Sequence, residues 1–260
     1  MFRETAIYST LCKYLGNDPT NDQSSALKLF ADYICQTDDD RIFLLTGYAG
    51  TGKTSVINVV VKTLAALRIK SVLLAPTGRA AKVLSSYTGI NAYTIHKKIY
   101  RQKSIKDGIG SFVLDRNLQK NTYFIVDESS MISNSTNETS VFGSGKLLDD
   151  LVEYVYSGIG CRLILVGDTA QLPPVGTVIS PALDRDTLIS YGFGLISAEL
   201  RQVVRQSESS GVLMNATKLR LQIESNELLR PEIDSKSFDD IIRISGEDLI
   251  EEISSGYGSA

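Results

Sequence analysis

The amino-acid sequence predicts an α/β domain with a mainly parallel sheet flanked by helices. Four short, continuously apolar runs read as buried strands, and they begin at Arg41, Lys70, Thr122 and Cys161. Helical patterns separate these runs, and a glycine-rich turn joins the first strand to the helix that follows it. Strands that alternate with helices in this way are typical of parallel sheets covered on both faces.

The glycine-rich turn has the sequence GYAGTGKT and fits the phosphate-binding pattern G-x-x-x-x-G-K-[ST]. It lies between a strand and the helical run from Ser55 to Leu67. Glycines let the backbone turn its N–H groups inward, and the helix N-terminus adds partial positive charge. Lys53 can reach the β- and γ-phosphates of a nucleoside triphosphate, and the hydroxyl of Thr54 can bind Mg²⁺. The nucleotide-contacting residues predicted here are Gly47, Gly50, Thr51, Gly52, Lys53, Thr54 and Ser55. A glycine-rich turn with one surface lysine is the alternative.

Composition indicates a soluble globular protein. The chain has 260 residues, of which 43% are hydrophobic, and it contains no apolar run near the roughly 20 residues that span a bilayer. The N-terminus lacks the apolar core of a signal peptide. The three cysteines, Cys12, Cys35 and Cys161, lie far apart, as unpaired thiols do in a reducing compartment. We therefore expect a monomeric cytoplasmic protein without a membrane partner.

The net charge of −3 argues mildly against a nucleic-acid ligand, but the charges are unevenly distributed. Between Lys53 and Lys106 the charged residues are all lysine or arginine, and the first acid is Asp107. A solvated charged face is the ordinary explanation of such a run. The motifs inside the run favour a nucleic-acid surface instead.

The segment Thr20-Asn-Asp-Gln23 precedes an apolar-periodic helix and has two interpretations. In the first, Thr20 caps the helix and Gln23 reaches back to complete a capping box. In the second, the Gln23 amide pairs with an adenine edge, since it carries both a donor and an acceptor. Both interpretations hold if the cap fixes the side chain.

The second strand ends in Pro76-Thr-Gly-Arg-Ala-Ala-Lys82. Thr77 can cap the following helix, whose N-terminus, with Arg79 and Lys82 one turn apart, suits backbone phosphates. His96, the single histidine, follows in Tyr93-Thr-Ile-His96. It is either a structural hydrogen-bonding residue or a contact to a base or phosphate.

Residues 101–121 interrupt the alternation of strands and helices. Turn signals surround the short apolar piece Phe112-Val-Leu114. We expect a small inserted hairpin or strap there, with a plain surface loop as the alternative.

Two further strand ends carry polar side chains. In a nucleotide hydrolase, Asp127 would hold Mg²⁺ through water and Glu128 would polarise the attacking water. Gln171 follows the fourth strand on a loop that two prolines stiffen. A glutamine beside the γ-phosphate can sense whether that phosphate is present. The alternatives are an acidic pair that only caps the end of its strand and, at Gln171, a proline-rich connector.

Six motifs in this order resemble those of superfamily 1 DNA helicases: GYAGTGKT, APTGRAAK, TIH, VDESSM, VGDTAQLPPVG and ELRQVVRQ. The resemblance covers roughly residues 15 to 220 and is greatest for the 5′-to-3′ branch that includes the exonuclease V alpha subunit and the phage Dda helicase, enzymes of DNA repair or recombination.

The resemblance implies a RecA-like P-loop NTPase domain that hydrolyses ATP with Mg²⁺ and moves on single-stranded DNA. It implies that Gln23 contacts adenine, that Thr54 and Asp127 hold the metal, and that the catalytic residues are Lys53, Asp127, Glu128, Gln171 and Arg205. The residues implied for the single-strand path are Pro76, Thr77, Arg79, Lys82, Thr94 and His96. The insertion at 101–121 would be the small pin-bearing subdomain.

The chain departs from the helicase pattern in having no recognisable second RecA-like domain. We expect a motor domain over residues 1–245 and, at 246–260, the opening of a truncated second motor domain that acts as a partner in a longer parent. Since loss of an arginine contact costs about 10³ to 10⁵ in turnover in related nucleotidases, we expect this chain alone to hydrolyse ATP poorly. An ATPase that acts on RNA or protein, and a non-catalytic nucleotide-dependent interaction module, remain alternatives.

Overall fold

The computed structural model describes residues 2–36, 40–103, 111–134, 141–204, 210–225 and 230–257. The helices are α1 (Phe2–Leu15), α2 (Asn21–Cys35), α3 (Lys53–Ala66), α4 (Gly78–Thr88), α5 (Ile95–Ile99), α6 (Leu147–Tyr156), α7 (Arg185–Ser190), α8 (Gly211–Glu224) and α9 (Asp248–Tyr257). The strands are β1 (Arg41–Gly47), β2 (Lys70–Ala75), β3 (Ala92–Thr94), β4 (Tyr100–Gln102), β5 (Phe112–Leu114), β6 (Thr122–Val126), β7 (Arg162–Gly167) and β8 (Gly194–Leu200). The chain divides into two compact units, Met1–Gln202 and Val203–Ala260.

The first unit is built on a six-stranded sheet in the order β3-β2-β6-β7-β1-β8. Every pair of neighbours in it is parallel. Helices cover both faces, which is the RecA-like P-loop NTPase fold. The predicted fold class is therefore confirmed.

The central strands β1, β6 and β7 are mostly apolar because both faces of the sheet are buried there. Along β1, Phe43 and Leu45 point into one core and Ile42 and Leu44 into the other. Phe30 of α2 stacks on Phe43 with ring centroids 3.8 Å apart. The two cores hold the sheet rigidly between helix layers and fix the positions at which its strands end.

The predicted phosphate loop, the acidic pair, the Gln171 loop and the predicted single-strand residues lie where strands end at one edge of this sheet, whereas Gln23 lies in the first turn of α2. The strands β1, β2, β3, β6 and β7 end at Gly47, Ala75, Thr94, Val126 and Gly167. Carboxyl ends of parallel strands meet at the same edge, where ligands of open α/β sheets bind. The sheet order places the ends of β1, β7 and β6 side by side and those of β2 and β3 beyond them.

A small antiparallel pair, β4 with β5, lies within the predicted hairpin. The Phe112 backbone N–H also donates to the Val141 carbonyl at 2.9 Å, and the Phe112 ring stacks on Phe142 at 4.6 Å between centroids. The pair is thus tied to the segment that precedes α6. Residues 104–110 of the predicted hairpin lie outside the described residues.

The second unit contains α8 and α9 and holds its non-helical part by side-chain hydrogen bonds. The Asn215 Nδ2 atom donates to the Asp234 carbonyl at 2.8 Å, and the Asp240 carboxylate accepts from Ser210 Oγ at 2.8 Å. Across the part of the chain that the structure describes, no helix is both long and apolar enough to cross a membrane. The domain limits at 245 and 246 stay predictions.

Candidate functional site

The loop between β1 and α3 has the backbone geometry that a phosphate cradle requires. Gly50 and Gly52 have φ values of 76° and 90°, in the left-handed region that favours glycine. A Cβ atom added at Gly47 would lie 2.8 Å from the Leu200 carbonyl oxygen. The Thr51 hydroxyl donates to the Tyr48 carbonyl at 2.8 Å, so that side chain fastens the loop.

Lys53 begins α3 and turns its ammonium back over this loop. Its Nζ atom donates to the carbonyls of Gly47 at 2.7 Å and Tyr48 at 2.9 Å. It also forms an ion pair with Asp168 Oδ2 at 3.2 Å. Thr54 and Ser55 follow in the first helical turn, Thr54 half-buried and Ser55 exposed. The Lys53 ammonium therefore lies over the loop that is predicted to bind phosphate.

Gln23 forms the predicted capping box. Its backbone N–H donates to Thr20 Oγ1 at 3.2 Å, and its Oε1 accepts from the Thr20 N–H at 3.1 Å. The Nε2 atom donates to the Thr51 carbonyl at 3.2 Å, and the residue is 4% exposed. Gln23 thus joins the start of α2 to the phosphate loop. One donor hydrogen and one lone pair of the amide are used in these bonds, and contact with adenine stays a prediction.

Asp127 follows β6 with its carboxylate largely withdrawn from water. Its Oδ1 atom accepts from the Glu128 N–H at 2.9 Å. Burial, more than the neighbouring Glu128 charge, raises the pKa of Asp127 to about 6. A divalent cation would reverse this effect, and carboxylate and hydroxyl oxygens are ligands that Mg²⁺ prefers. Asp127 and Thr54 are thus chemically suited to such an ion.

No group of three or more His, Cys, Asp or Glu side chains forms a ready-made metal cluster in the described ranges. Mg²⁺ is commonly held by one or two carboxylates together with substrate phosphates and water. A site that depends on Asp127 and the nucleotide fits this pattern.

Glu128 occupies the left-handed backbone region at φ 55°, which is costly for a residue with a Cβ atom. Its Oε2 atom accepts a hydrogen bond from Gln171 Nε2 at 3.1 Å. The Gln171 Oε1 atom accepts from the Ser130 hydroxyl at 2.6 Å. The structure therefore brings together Glu128 and Gln171, which the sequence placed 43 positions apart.

The predicted single-strand residues lie at the end of β3 and just beyond the ends of β2 and β3. Thr77 caps α4 by accepting from the Ala80 N–H at 3.2 Å, and Thr94 caps α5 by accepting from the Lys97 N–H at 3.2 Å. Pro76 precedes the first of these caps and is half-buried. Arg79 and Lys82 are exposed on the first turns of α4. The cap of α4 is confirmed.

His96 is half-buried against aromatic rings. Its ring centroid lies 5.0 Å from that of Phe142, edge to face, and 5.7 Å from that of Tyr100. Burial lowers the pKa of His96 below its ordinary value. Burial therefore favours the neutral imidazole, which is better suited to stacking on a ring than to pairing with a phosphate.

The start of the ELRQVVRQ segment, at Arg201 and Gln202, is anchored beside α2. The Asp22 carboxylate accepts from the backbone N–H groups of Arg201 at 2.8 Å and Gln202 at 2.9 Å. The Arg201 side chain pairs with Glu199 at 2.9 Å. Arg205, the predicted arginine contact, lies outside the described residues.

Comparison with known families identifies the chain. A family model described as AAA domain matches residues 20–227. The chain belongs to this AAA domain family.

Curated relatives of this AAA domain include helicases. The ATP-dependent RecD2 DNA helicase of Deinococcus radiodurans is 31% identical over 189 residues, which cover 72% of this chain and 22% of that protein. The ATP-dependent DNA helicase RRM3 of Saccharomyces cerevisiae is 31% identical over 147 residues, covering 50% and 18%. The chain thus spans about a fifth of the length of either relative.

The crystal structure of the Pif1 helicase from Candida albicans superposes with a TM-score of 0.50 at 22% identity, covering 78% of this chain and 44% of that one. This likeness shows the fold alone. Together with the relatives it confirms the predicted resemblance to superfamily 1 helicases, while the narrower likeness to the exonuclease V alpha subunit stays a prediction.

Asp168 is the residue of this AAA domain whose place at the site sequence reasoning missed. It follows β7, is 4% exposed, and accepts from the Ala170 N–H at 2.9 Å as well as pairing with Lys53. Its position in the sequence could have indicated this place, since a carboxylate directly after a buried strand lies at the ligand-binding edge of the sheet. Phe142, which packs on His96, gave no comparable signal.

Proposed function

We propose that this AAA domain is the first motor domain of an ATP-dependent DNA helicase of superfamily 1. The observation that carries the proposal is a series of contacts at one sheet edge. Lys53 pairs with Asp168, and Asp168 holds the turn that carries Gln171. The Gln171 side chain in turn donates a hydrogen bond to Glu128. A P-loop lysine, a buried acid, a polar sensor and a second carboxylate at one sheet edge form the equipment of nucleotide hydrolysis.

In this proposal each residue has a distinct task. Lys53 binds the β- and γ-phosphates, and Thr54 and Asp127 hold Mg²⁺, which neutralises phosphate charge when bound. Glu128 accepts a proton from the attacking water, and Gln171 orients Glu128. Arg205 is proposed to contact the transferred phosphoryl group.

The proposed macromolecular ligand, in addition to the nucleotide, is single-stranded DNA. The exposed cations Arg79 and Lys82 at the N-terminus of α4 suit backbone phosphates, which also gain from the partial positive charge of that helix end. His96 and Tyr93 can offer rings to bases, since stacking is tolerant of base identity. Movement in the 5′-to-3′ direction, and a second RecA-like domain that closes on ATP, belong to the proposed longer protein.

The test is equilibrium binding of a fluorescent oligo(dT) to the 260-residue chain, followed by anisotropy with and without a Mg²⁺-bound, slowly hydrolysed ATP analogue. We expect salt-dependent binding whose affinity changes when the analogue is added, and no such change in the Lys53→Ala variant. Binding that prefers a matched oligo(U), or no single-strand binding at all, would contradict the DNA assignment and favour an ATPase with an RNA or protein client.

A further inference from the structure

The Lys53 ammonium carries three hydrogens, and three acceptors surround it. Two are neutral carbonyls, of Gly47 and Tyr48, at 2.7 and 2.9 Å. The third is the Asp168 carboxylate at 3.2 Å, whose side chain is 5% exposed. A phosphate oxygen that binds Lys53 must therefore replace at least one of these acceptors.

The Asp168 carboxylate is shared between two partners. Its Oδ2 atom faces Lys53, while its Oδ1 atom accepts from the Ala170 N–H at 2.9 Å. The Asp168 carbonyl accepts from the Gln171 N–H at 3.3 Å, which completes the turn. One buried carboxylate thus holds both the phosphate-loop lysine and the turn that presents Gln171 to Glu128.

A buried carboxylate that loses its cation is costly, because its desolvation is no longer compensated. Transfer of Lys53 from Asp168 to a nucleotide phosphate leaves such a carboxylate, directly at the turn of Gln171. The binding free energy of the nucleotide is reduced by this cost, and the turn is the element that can relieve it.

We propose that Asp168 is a positioning residue that competes with nucleotide phosphate for Lys53 and so links occupancy of the phosphate loop to the Gln171 turn. This inference rests on the proposed function, since it requires a nucleotide at the loop. A triphosphate, which reaches Lys53 with its γ-phosphate, displaces the carboxylate more completely than a diphosphate.

The test is the affinity of the full chain for the Mg²⁺ complexes of ATPγS and ADP, measured by calorimetric titration. Asp168→Asn removes the charge but keeps an oxygen for the Ala170 N–H. We expect it to bind ATPγS about fivefold or more tightly, within the range usual for coupled sites, with a smaller gain for ADP.

Asp150→Asn is the matched control. Asp150 is also 4% exposed, but its carboxylate accepts from the Tyr100 hydroxyl at 2.6 Å and the Ser144 N–H at 3.0 Å. Within the described residues it forms no ion pair with a lysine. The same chemical change there should leave both nucleotide affinities unaltered. An equal gain in Asp150→Asn would overturn the inference.

A double-mutant cycle separates competition for the lysine from simple charge repulsion. In the Lys53→Ala background, Asp168→Asn should no longer increase ATPγS affinity, whereas repulsion between carboxylate and phosphate would persist. A gain that survives there overturns the inference.

The ¹⁵Nζ chemical shift of Lys53 reports its contact with Asp168 directly. It would not change if Asp168 served only to support the fold. It should shift in Asp168→Asn without nucleotide, and in the wild type when ATPγS is added. If the wild type binds nucleotide, an unshifted Lys53 resonance in Asp168→Asn, or a nucleotide affinity of Asp168→Asn equal to that of the wild type, overturns the inference. The proposed function is not affected by either result. A wild-type chain that binds no nucleotide overturns the proposed function and the inference with it.

Discussion

The side-chain amide of Gln171 donates a hydrogen bond to the carboxylate of Glu128, with 3.1 Å between Nε2 and Oε2. The Ser130 hydroxyl donates to the other end of the same amide at 2.6 Å. The glutamine orientation is fixed chemically, because its N–H₂ faces a carboxylate and its oxygen faces a hydroxyl. The proposed sensor is therefore in direct contact with the proposed base.

Gln171→Glu should lower ATP turnover more than it lowers nucleotide affinity. The substitution keeps the size of the side chain but replaces the donor to Glu128 with a second negative charge. We expect a decrease in kcat of about 10²-fold, at the lower end of what a positioned base contributes. Phosphate release by the proposed longer protein at saturating ATP and oligo(dT) measures it, with Gln171→Ala as the variant that removes the donor without adding charge. Wild-type kcat in both variants would show that the contact has no role in turnover.

Glu128→Gln should abolish most hydrolysis while ATP still binds. The carboxylate that would accept the proton of water is lost, for which we expect at least about 10²-fold slower turnover. Glutamine at position 128 has the same unfavourable backbone conformation, φ 55°, as the glutamate it replaces. The free energy of unfolding should therefore change little, although the rate of hydrolysis falls. Loss of ATP affinity without loss of kcat would refute the role assigned to Glu128.

Asp127→Asn should stabilise the chain against unfolding when Mg²⁺ and nucleotide are absent. The folded-state pKa of about 6 lies above the unfolded value near 4. The folded chain binds this proton more tightly than the unfolded chain does. The stabilisation that the protonated carboxyl gives is therefore fully present below pH 4 and is lost as the pH rises through 6. Asparagine carries no charge and keeps an oxygen for the Glu128 N–H.

We expect the free energy of unfolding of Asp127→Asn to exceed that of the wild type by about 3 kcal/mol at pH 7.5, since each pKa unit corresponds to about 1.4 kcal/mol. The gain should be smaller at pH 5. Urea unfolding at the two pH values measures both. A gain independent of pH would mean that the burial of this charge is not its cause.

Arg79→Ala should weaken binding of single-stranded DNA for all sequences alike. An exposed arginine at the start of α4 is expected to contact a phosphate, and its loss should flatten the salt dependence by about one ion. Lys70→Ala is the control, since Lys70 is an exposed cation at the opposite edge of the same sheet, where β2 begins. Equal effects of the two variants would indicate a general charge effect rather than a contact.

Sequence patterns predicted the fold and the edge of the site because they are local. Continuous apolar runs followed from burial on both sheet faces, and the capping box at Thr20 and Gln23 followed from residues three positions apart. The phosphate loop was recognisable because its glycines satisfy a backbone need that other residues cannot meet. Each of these features is determined within a short stretch of chain.

The features of the site that sequence patterns did not predict depend on contacts between segments far apart in the chain. The sheet order that sets β7 between β1 and β6 brings Asp168 to Lys53, and no spacing in the sequence encodes this. The packing of His96 on Phe142 likewise joins segments that flank the inserted hairpin. Of the two roles predicted for Gln23, the side-chain contacts confirm the capping box, and contact with adenine stays a prediction.

The central claim is that the carboxyl edge of this sheet binds Mg²⁺–ATP through Lys53. Calorimetric titration of the wild-type chain and of Lys53→Ala with Mg²⁺–ATPγS tests it most directly. We predict one nucleotide per wild-type chain and an affinity at least about tenfold lower in Lys53→Ala, since a hydrogen-bonded charge contributes roughly 1.5–3 kcal/mol. Equal affinities in the two proteins, or no binding by the wild type, would contradict the account.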